Sequence, residues 1–296
     1  MLNASCLPSI KNSKIEKIPP LNNGVQQLFI LRDDLIHPII SGNKWRKLKQ
    51  IIERVKKEKI SGIQTYGGAY SNHLLAVAWV AKLFQIPCIL KVRGEELNPN
   101  SNEVLRRCQD DFVQMVFLRR EKYRQEKTTY GMLDNGYFSI PEGGACKEGI
   151  EGVMEIGPSL MNFDVIAVAQ GTTTTSLGIL LSTPPSTILW VFPVLKGYSS
   201  LEEMEALANK WGYHEQFKQQ KHRIQLFSDY HFGGYGKGIN ALNRCLSTYD
   251  EKGEIPLDSV YTGKAFYGFL QESGKMLRKR KMIFIHTGGY VINRLS

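Results

Sequence analysis

No run of about 18 apolar residues occurs anywhere in the chain, so nothing in it reads as a membrane-spanning helix. The N-terminus offers no signal-peptide core either, because Lys11, Lys14, Glu16 and Lys17 stand among few apolar neighbours. Cysteine is sparse. The five present, Cys6, Cys88, Cys108, Cys146 and Cys245, are odd in number, widely scattered and without a C-x-x-C spacing, which reads as free thiols in a reducing compartment. A Walker A ending and a G-x-G-x-x-G dinucleotide fingerprint are also missing, as are internal repeats and low-complexity tracts. These absences predict a soluble, cytoplasmic protein with no membrane partner.

The composition that remains is an ordinary globular one. The 296 residues are 42% apolar, enough to bury a sizeable core in one large or two modest domains. A formal charge of +10 suits anionic ligands. Lys and Arg nevertheless alternate with Asp and Glu, and the one tight basic run, Arg278-Lys279-Arg280-Lys281, directly precedes a predicted strand. It reads as a solvated loop, and no nucleic-acid partner is expected.

Residues 1–26 are polar, with Pro8, Pro19, Pro20 and Gly24, and read as an extended arm before a short strand from Gln27 to Arg32. A helix around Lys44 leads to strand Gly62 to Tyr66. Helix Leu74 to Phe84, strand Cys88 to Val92, helix Glu103 to Gln109, strand Phe112 to Leu118 and helix Arg119 to Lys127 then alternate as βα units. The turn-rich stretch Gly131 to Gly136 reads as returning the chain to another sheet through strand Tyr137 to Ile140, with a domain boundary there. Beyond it the alternation continues: a helix to Ile156, strand Asp164 to Ala169, helix Thr174 to Leu181, strand Ile188 to Val194, helix Leu201 to Trp211, strand Arg223 to Phe227 and strand Met282 to His286. Near-continuous apolar strands between helices predict an α/β fold of doubly wound, mainly parallel sheets, with ligands at the strands' carboxyl ends.

Several stretches carry chemistry beyond this frame. Ser41-Gly42-Asn43-Lys44-Trp45-Arg46-Lys47-Leu48 delivers Lys44 to the first turn of an amphipathic helix, marked by Trp45, Leu48, Ile52 and Val55. A cation there does not serve the helix dipole. Held among Arg46 and Lys47 and partly desolvated, its amine would lose its proton readily and attack an aldehyde as a Schiff-base lysine. On spacing alone, a solvated basic helix is the commoner explanation.

Tyr66-Gly67-Gly68-Ala69-Tyr70-Ser71-Asn72-His73 joins a strand to an apolar helix. Its glycines permit close backbone approach, while Ser71 and Asn72 cap the helix and leave amides for a carboxylate; a plain capped turn competes with that reading. Gln170-Gly171-Thr172-Thr173-Thr174-Thr175-Ser176-Leu177-Gly178 likewise opens a helix, and its hydroxyls and amides suit a phosphate that stays bound. Tyr235 and Tyr261 lie in glycine-flanked segments, where a ring can stack on a planar cofactor and exchange a proton if nearby cations lower its pKa. Lys264 and His286 read as structural residues.

Together and in this order, the lysine motif, Gly-Gly-x-x-Ser-Asn, the Gly-Thr loop, Val260-Tyr261-Thr262-Gly263-Lys264 and His286-Thr287-Gly288-Gly289 resemble the pyridoxal-phosphate enzymes of the 1-aminocyclopropane-1-carboxylate deaminase and D-cysteine desulfhydrase family. The likeness spans residues 30–289. It implies the tryptophan synthase β-like fold, with residues 1–46 and 133–296 as a larger cofactor-binding domain and 47–132 as a smaller inserted one. It also implies a homodimer, a small amino-acid substrate, pyridoxal 5'-phosphate as cofactor and no metal. Position by position, Lys44 resembles the lysine that carries the cofactor, Lys47 a phosphate contact, and Gly171, Thr172, Thr173, Thr174 and Thr175 the phosphate loop. Asn72 matches the partner of the cofactor's 3-hydroxyl. Ser71, Asn72 and His73 match the substrate-carboxylate site, where Ser71 also has an acid–base or nucleophilic role in deaminases, and Tyr235 and Tyr261 match active-site tyrosines.

Where deaminases carry Tyr-Glu-Gly-Lys, with the glutamate near the pyridine nitrogen, this chain has Thr262, and it has Thr287 where that branch tends to be apolar. A hydroxyl partner does not keep the pyridine protonated, which favours β-elimination from D-cysteine over cyclopropane opening. Ring opening and a non-catalytic cofactor-binding protein are the alternatives. Segments Glu142 to Cys146 and Lys196 to Tyr198 are candidates to shape the pocket.

Overall fold

The computed structural model describes residues 7–20, 25–40, 42–194, 199–233, 240–250, 255–258 and 261–289. Strands β1 (Ile15–Ile18) and β2 (Gln27–Leu31) lead into helix α1 (Asn43–Lys57). Next come β3 (Gly62–Gly68), α2 (Asn72–Phe84), β4 (Cys88–Arg93), α3 (Glu103–Arg107), β5 (Val113–Leu118), α4 (Arg120–Glu126), β6 (Gly131–Met132) and β7 (Tyr137–Ile140). After them follow α5 (Lys147–Met154), α6 (Gly157–Leu160), β8 (Val165–Gln170), α7 (Thr174–Ser182), β9 (Ile188–Pro193), α8 (Ser200–Lys210) and α9 (His214–Gln220). The chain ends through β10 (Ile224–Leu226), α10 (Asn240–Asp250), α11 (Thr262–Gly274) and β11 (Lys281–Ile285).

Among the described residues the strands form two sheets, one six-stranded in the order β1-β2-β11-β8-β9-β10 and one five-stranded in the order β5-β4-β3-β7-β6. All neighbours run parallel except β1 with β2 and β6 with β7. Strand β8 shows why the strands read as continuous apolar runs. Val165, Ala167 and Ala169 pack on one face with Leu242 of α10 and Phe266 and Phe269 of α11, while Ile166 and Val168 pack on the other with Val153 of α5, Leu177 of α7 and Phe217 of α9. Both faces are covered, the doubly wound arrangement expected from the sequence.

Three local expectations are corrected. Residues 15–18 form an edge strand antiparallel to β2, with Ile15 opposite Leu31, not an unpaired arm. Strands β6 and β7 do not carry the chain to another sheet: β7 pairs with β3, so the five-stranded sheet extends to Ile140. Helices α10 and α11 occupy a stretch with no predicted element.

The start of α1 is pinned from two sides. Arg46 donates to both carboxylate oxygens of buried Asp33 at 2.7 Å, while Gly42 N donates to the Asp33 carbonyl at 3.0 Å. Gly42 has φ +64, and a Cβ there would lie 1.8 Å from the Thr287 carbonyl oxygen, so only glycine lets α1 abut the end of β11. At the far end of α7, the Arg223 guanidinium donates to the carbonyls of Leu180, Pro184 and Thr187, capping that helix. No helix among the described residues is long and apolar enough to cross a membrane.

Arg46→Met should cost about 3 to 5 kcal/mol in urea unfolding, because it strands a buried carboxylate, and adding Asp33→Asn should recover most of that loss.

Candidate active site

Parallel strands bring their carboxyl ends to common edges, and four of the connections leaving those ends meet around the first turn of α1. After β3, Ser71 caps α2 by accepting from Leu74 N at 3.3 Å. A Cβ on Gly67 would lie 2.5 Å from the Leu74 side chain and 2.8 Å from Ser71 Oγ, which is why this turn requires glycine. After β7, Gly143 (φ +66) and Gly144 (φ +70) turn the backbone so that the Gly143 carbonyl accepts from Lys47 Nζ at 3.1 Å. Glu142 anchors that turn, accepting from Tyr123 Oη at 2.7 Å and Lys127 Nζ at 3.1 Å.

After β8, the Gly171–Thr173 loop opens α7 with no side-chain cap on its first amides. Thr172 Oγ1 lies 3.4 Å from Lys47 Nζ, and Thr175 Oγ1 accepts from Asn43 Nδ2 at 2.6 Å. After β11, Asn43 N donates to the Thr287 carbonyl at 3.3 Å. A Cβ on Gly289 would sit 3.0 Å from Asp258 Oδ2 and 3.5 Å from Asn72 Nδ2. Thus the loops that carry Asn72, His73, Thr172, Thr175, Thr287 and Tyr261 gather around the start of α1 with Lys44 and Lys47. Tyr235 and the Lys196 to Tyr198 segment lie outside the described residues, as does Ser41.

The amines of this cleft are short of counter-charge. Lys44 Nζ donates to Asn43 Oδ1 at 2.6 Å. Burial brings its pKa down to about 8, with the Asp258 carboxylate pulling the other way. Arg46, expected to contribute to this depression, does not: its guanidinium is spent on Asp33. Lys47 is driven well below the ordinary lysine range by burial, and the Lys44 charge adds to the effect. Tyr261 also departs from expectation. Its pKa is raised by burial, so it stays a phenol, with its Oη 2.9 Å from the point a Cβ on Gly171 would occupy.

His73 has a fixed tautomer. Thr65 Oγ1 donates its single hydrogen to the Ile140 carbonyl at 2.9 Å, so in its 2.9 Å contact with His73 it accepts from Nε2–H. Nδ1 is left as a buried acceptor without a partner. Burial, then the charges of Lys47 and Lys44, push the imidazole pKa down to about 3, so the ring is neutral.

Other buried polar atoms here also lack partners: Asn72 Oδ1, Thr174 Oγ1, Ser176 Oγ, Thr287 Oγ1 and both amide atoms of Gln170. Native proteins seldom leave such atoms unsatisfied, and their clustering around two lysines and an uncapped helix start fits a polar, anionic ligand. Asp258 and Thr65 had no assigned role in the sequence reading, and the Gly143–Gly144 turn entered it only as part of the pocket-shaping segment Glu142 to Cys146. A capping aspartate is recognisable only once the helix it caps, α11, is recognised.

No protein-family model matches the chain. A Pyrococcus furiosus protein named "Putative 1-aminocyclopropane-1-carboxylate deaminase" is 30% identical, over 93% of this chain and 88% of the relative. A D-cysteine desulfhydrase of Klebsiella pneumoniae is 26% identical, over 93% of this chain and 90% of its own length. Among solved structures, a homologue of 1-aminocyclopropane-1-carboxylate deaminase matches with a TM-score of 0.75 and 27% identity, covering 96% of this chain and 92% of that one. A hydrogen sulfide-producing enzyme of Fusobacterium nucleatum shares the fold at a TM-score of 0.66 and 13% identity.

A neutral His73 has a consequence for stability. Between its ordinary value of 6.5 and about 3 the folded chain binds fewer protons than the unfolded one, so stability rises with pH there and is lost on acidification. His73→Gln, followed by urea unfolding across that window, should flatten the acid limb by a few kcal/mol.

Proposed function

The chain belongs to the 1-aminocyclopropane-1-carboxylate deaminase and D-cysteine desulfhydrase family of pyridoxal-phosphate-dependent lyases, and within it we propose that the chain eliminates the β-substituent of a D-amino acid, D-cysteine above all, giving pyruvate, ammonia and sulfide. The observation that carries the proposal is the meeting of two under-compensated lysines with the unpartnered oxygens of Asn72, Thr174, Ser176 and Thr287. In this reading Lys44 carries the cofactor, Lys47 and the Gly171–Thr175 loop hold its phosphate, Asn72 meets its 3-hydroxyl and Thr287 its ring nitrogen. Bound there, the cofactor supplies an electron sink beside the substrate's α-carbon.

The protein's own groups divide the remaining work. Ser71 Oγ accepts from Leu74 N, which leaves its hydrogen for the substrate carboxylate, alongside main-chain amides at the start of α2. His73, as an acceptor at Nδ1, cannot donate to that carboxylate and instead suits a proton-bearing group. Lys44, with its pKa near 8, is partly neutral at physiological pH and can take the α-proton. Tyr261 remains protonated and acts as a donor.

The choice of substrate rests on positions 262, which holds no acid, and 287. The Thr262 hydroxyl, fully buried, donates to Asp258, whereas Thr287 Oγ1 lacks a partner. A hydroxyl at the ring nitrogen makes a weaker electron sink than an acid. Breaking a cyclopropane needs the stronger one, while a departing thiolate carries its charge away. Ring opening of 1-aminocyclopropane-1-carboxylate is the second reading, favoured by the name of the 30% identical relative. We also propose a homodimer, as the family resemblance implies. The two-domain division, residues 47–132 forming the smaller domain and the rest the larger, is kept as a proposal; continuity of the five-stranded sheet favours ending the smaller part after Ile140.

The purified, cofactor-loaded protein should release sulfide, pyruvate and ammonia from D-cysteine faster than it releases 2-oxobutanoate from 1-aminocyclopropane-1-carboxylate; the reverse order would overturn the substrate assignment. Lys44→Ala should abolish turnover and the near-visible absorbance of the bound cofactor.

A further inference from the structure

Asn43 has no part in the roles above, yet it touches three of the residues that carry them. It is the first residue of α1 and is buried, at 4% exposure. An asparagine at a helix start commonly bonds the amides of its own helix, but this one reaches elsewhere. Its Oδ1 accepts from Lys44 Nζ at 2.6 Å, and its Nδ2 donates at 2.6 Å to Thr175 Oγ1, in the second residue of α7. Its main-chain amide donates to the Thr287 carbonyl. The direction of both side-chain bonds is forced. A lysine ammonium only donates, so the amide oxygen faces Lys44 and the amide nitrogen is left for Thr175. Thr175 Oγ1 therefore spends a lone pair on Asn43 and keeps its hydrogen, for which the described residues offer no acceptor.

We propose that Asn43 is a positioning residue that ties the two ends of the site together: its oxygen holds the Lys44 amine in place, and its nitrogen turns the Thr175 hydrogen toward a phosphate in the Gly171–Thr175 loop. The inference rests on the reading of Lys44 as the cofactor lysine and of that loop as the phosphate cradle. A threonine hydroxyl in a helix can rotate and give its hydrogen to a carbonyl of its own backbone. Filling its lone pair from the Lys44 side leaves the hydrogen pointing away from Asn43. An uncharged side chain with an acceptor and a donor on one carbon serves both bonds at once. The start of α1 does not depend on that side chain, because Arg46 on Asp33, Gly42 against Thr287 and the main-chain amide of residue 43 hold it. Substitutions at 43 therefore remove the two bonds without displacing the helix.

The cofactor-free protein tests this through its affinity for inorganic phosphate, measured by titration calorimetry in a double-mutant cycle. Thr175→Val alone should weaken binding about tenfold, the worth of one hydrogen bond to a charged acceptor, and Asn43→Ala alone should weaken it as well. With Asn43→Ala in place, Thr175→Val should cost less than about threefold more, because the hydroxyl is no longer held in its donating direction. An Asn43→Ala protein with unchanged affinity, or losses that multiply in full, overturns the proposal. The lysine end is read by trace acetylation of Lys44 at neutral pH, relative to exposed Lys57. Asn43→Ala should speed it several-fold by removing an acceptor of the ammonium, and Asn43→Asp should slow it, since a carboxylate holds that ammonium more firmly. Lys47 and Asp258, whose charges also act in this neighbourhood, are the same in both variants. A side chain that only packed there would speed acetylation in both, and that result overturns the proposal. If Asn43→Ala does not fold, Asn43→Asp takes its place in the cycle. Its carboxylate draws the Thr175 hydrogen to itself, so an undiminished loss from Thr175→Val then overturns the proposal. Failure of the underlying readings registers separately: the cradle falls, and this inference with it, if the wild-type protein binds no phosphate, and the cofactor-lysine reading falls if a near-visible cofactor band survives Lys44→Ala.

Discussion

The ion pair between Arg46 and Asp33 lies inside the protein, and its two 2.7 Å contacts decide where α1 begins. Burying both charges costs nearly as much as their attraction returns, so such a pair contributes geometry more than net stability. Here the geometry is the angle of one helical turn. With 46 turned toward Asp33, residues 44 and 47, three apart, fall on a common side, and Lys47 reaches the Gly143 turn and the Thr172 loop. The same pair consumes the one cation of this turn that could have found its own partner in the cleft. Two amines remain there, with the Asp258 carboxylate opposing the loss of charge at Lys44 only, and an anionic ligand is the natural complement.

Around that turn the fold supplies backbone where a charged ligand needs amides, and side chains where it needs selectivity. The start of α7 offers uncapped amides and hydroxyls, and Arg223 occupies the opposite pole of the same helix. A cation at the carbonyl pole and an anion at the amide pole both align with the dipole of α7. The turn after β7 is equally fixed, since Tyr123 and Lys127 hold Glu142 while its neighbour Gly143 receives Lys47. The cleft is thus preorganised from both sheets, not assembled from mobile loops.

Much of this was legible in the sequence because it is local. The periodic apolar face of α1 located Lys44, and the buried runs Val165–Gln170 and Lys281–Ile285 located the strands whose ends carry the loops. What escaped was non-local or disguised. Sequence adjacency suggested that Arg46 would repel the Lys44 proton, but about 200° of helical rotation directs it to Asp33 instead. Helix α11 begins Thr262-Gly263-Lys264, and its glycines read as turn signals; only the structure shows Gly263 and Gly268 packed under Leu246 and Phe192. Without that helix, Asp258 was one acid among many. Edge strand β1 escaped because only Ile18 of its four residues is buried. Which sheet β6 and β7 join depends on partners far away in the chain.

The order of strands in the larger sheet has a bearing on biosynthesis. β11, the last strand among the described residues, inserts between β2 and β8, and Thr287, two residues past its end, receives the amide that starts α1. A nascent chain halted before Lys281 would hold β2 and β8 with an open gap between them, and Gly42 would have no backbone to rest against. Lys44 is therefore synthesised early but its helix start is seated last, and an incompletely translated chain carries that amine without the surroundings that bury it.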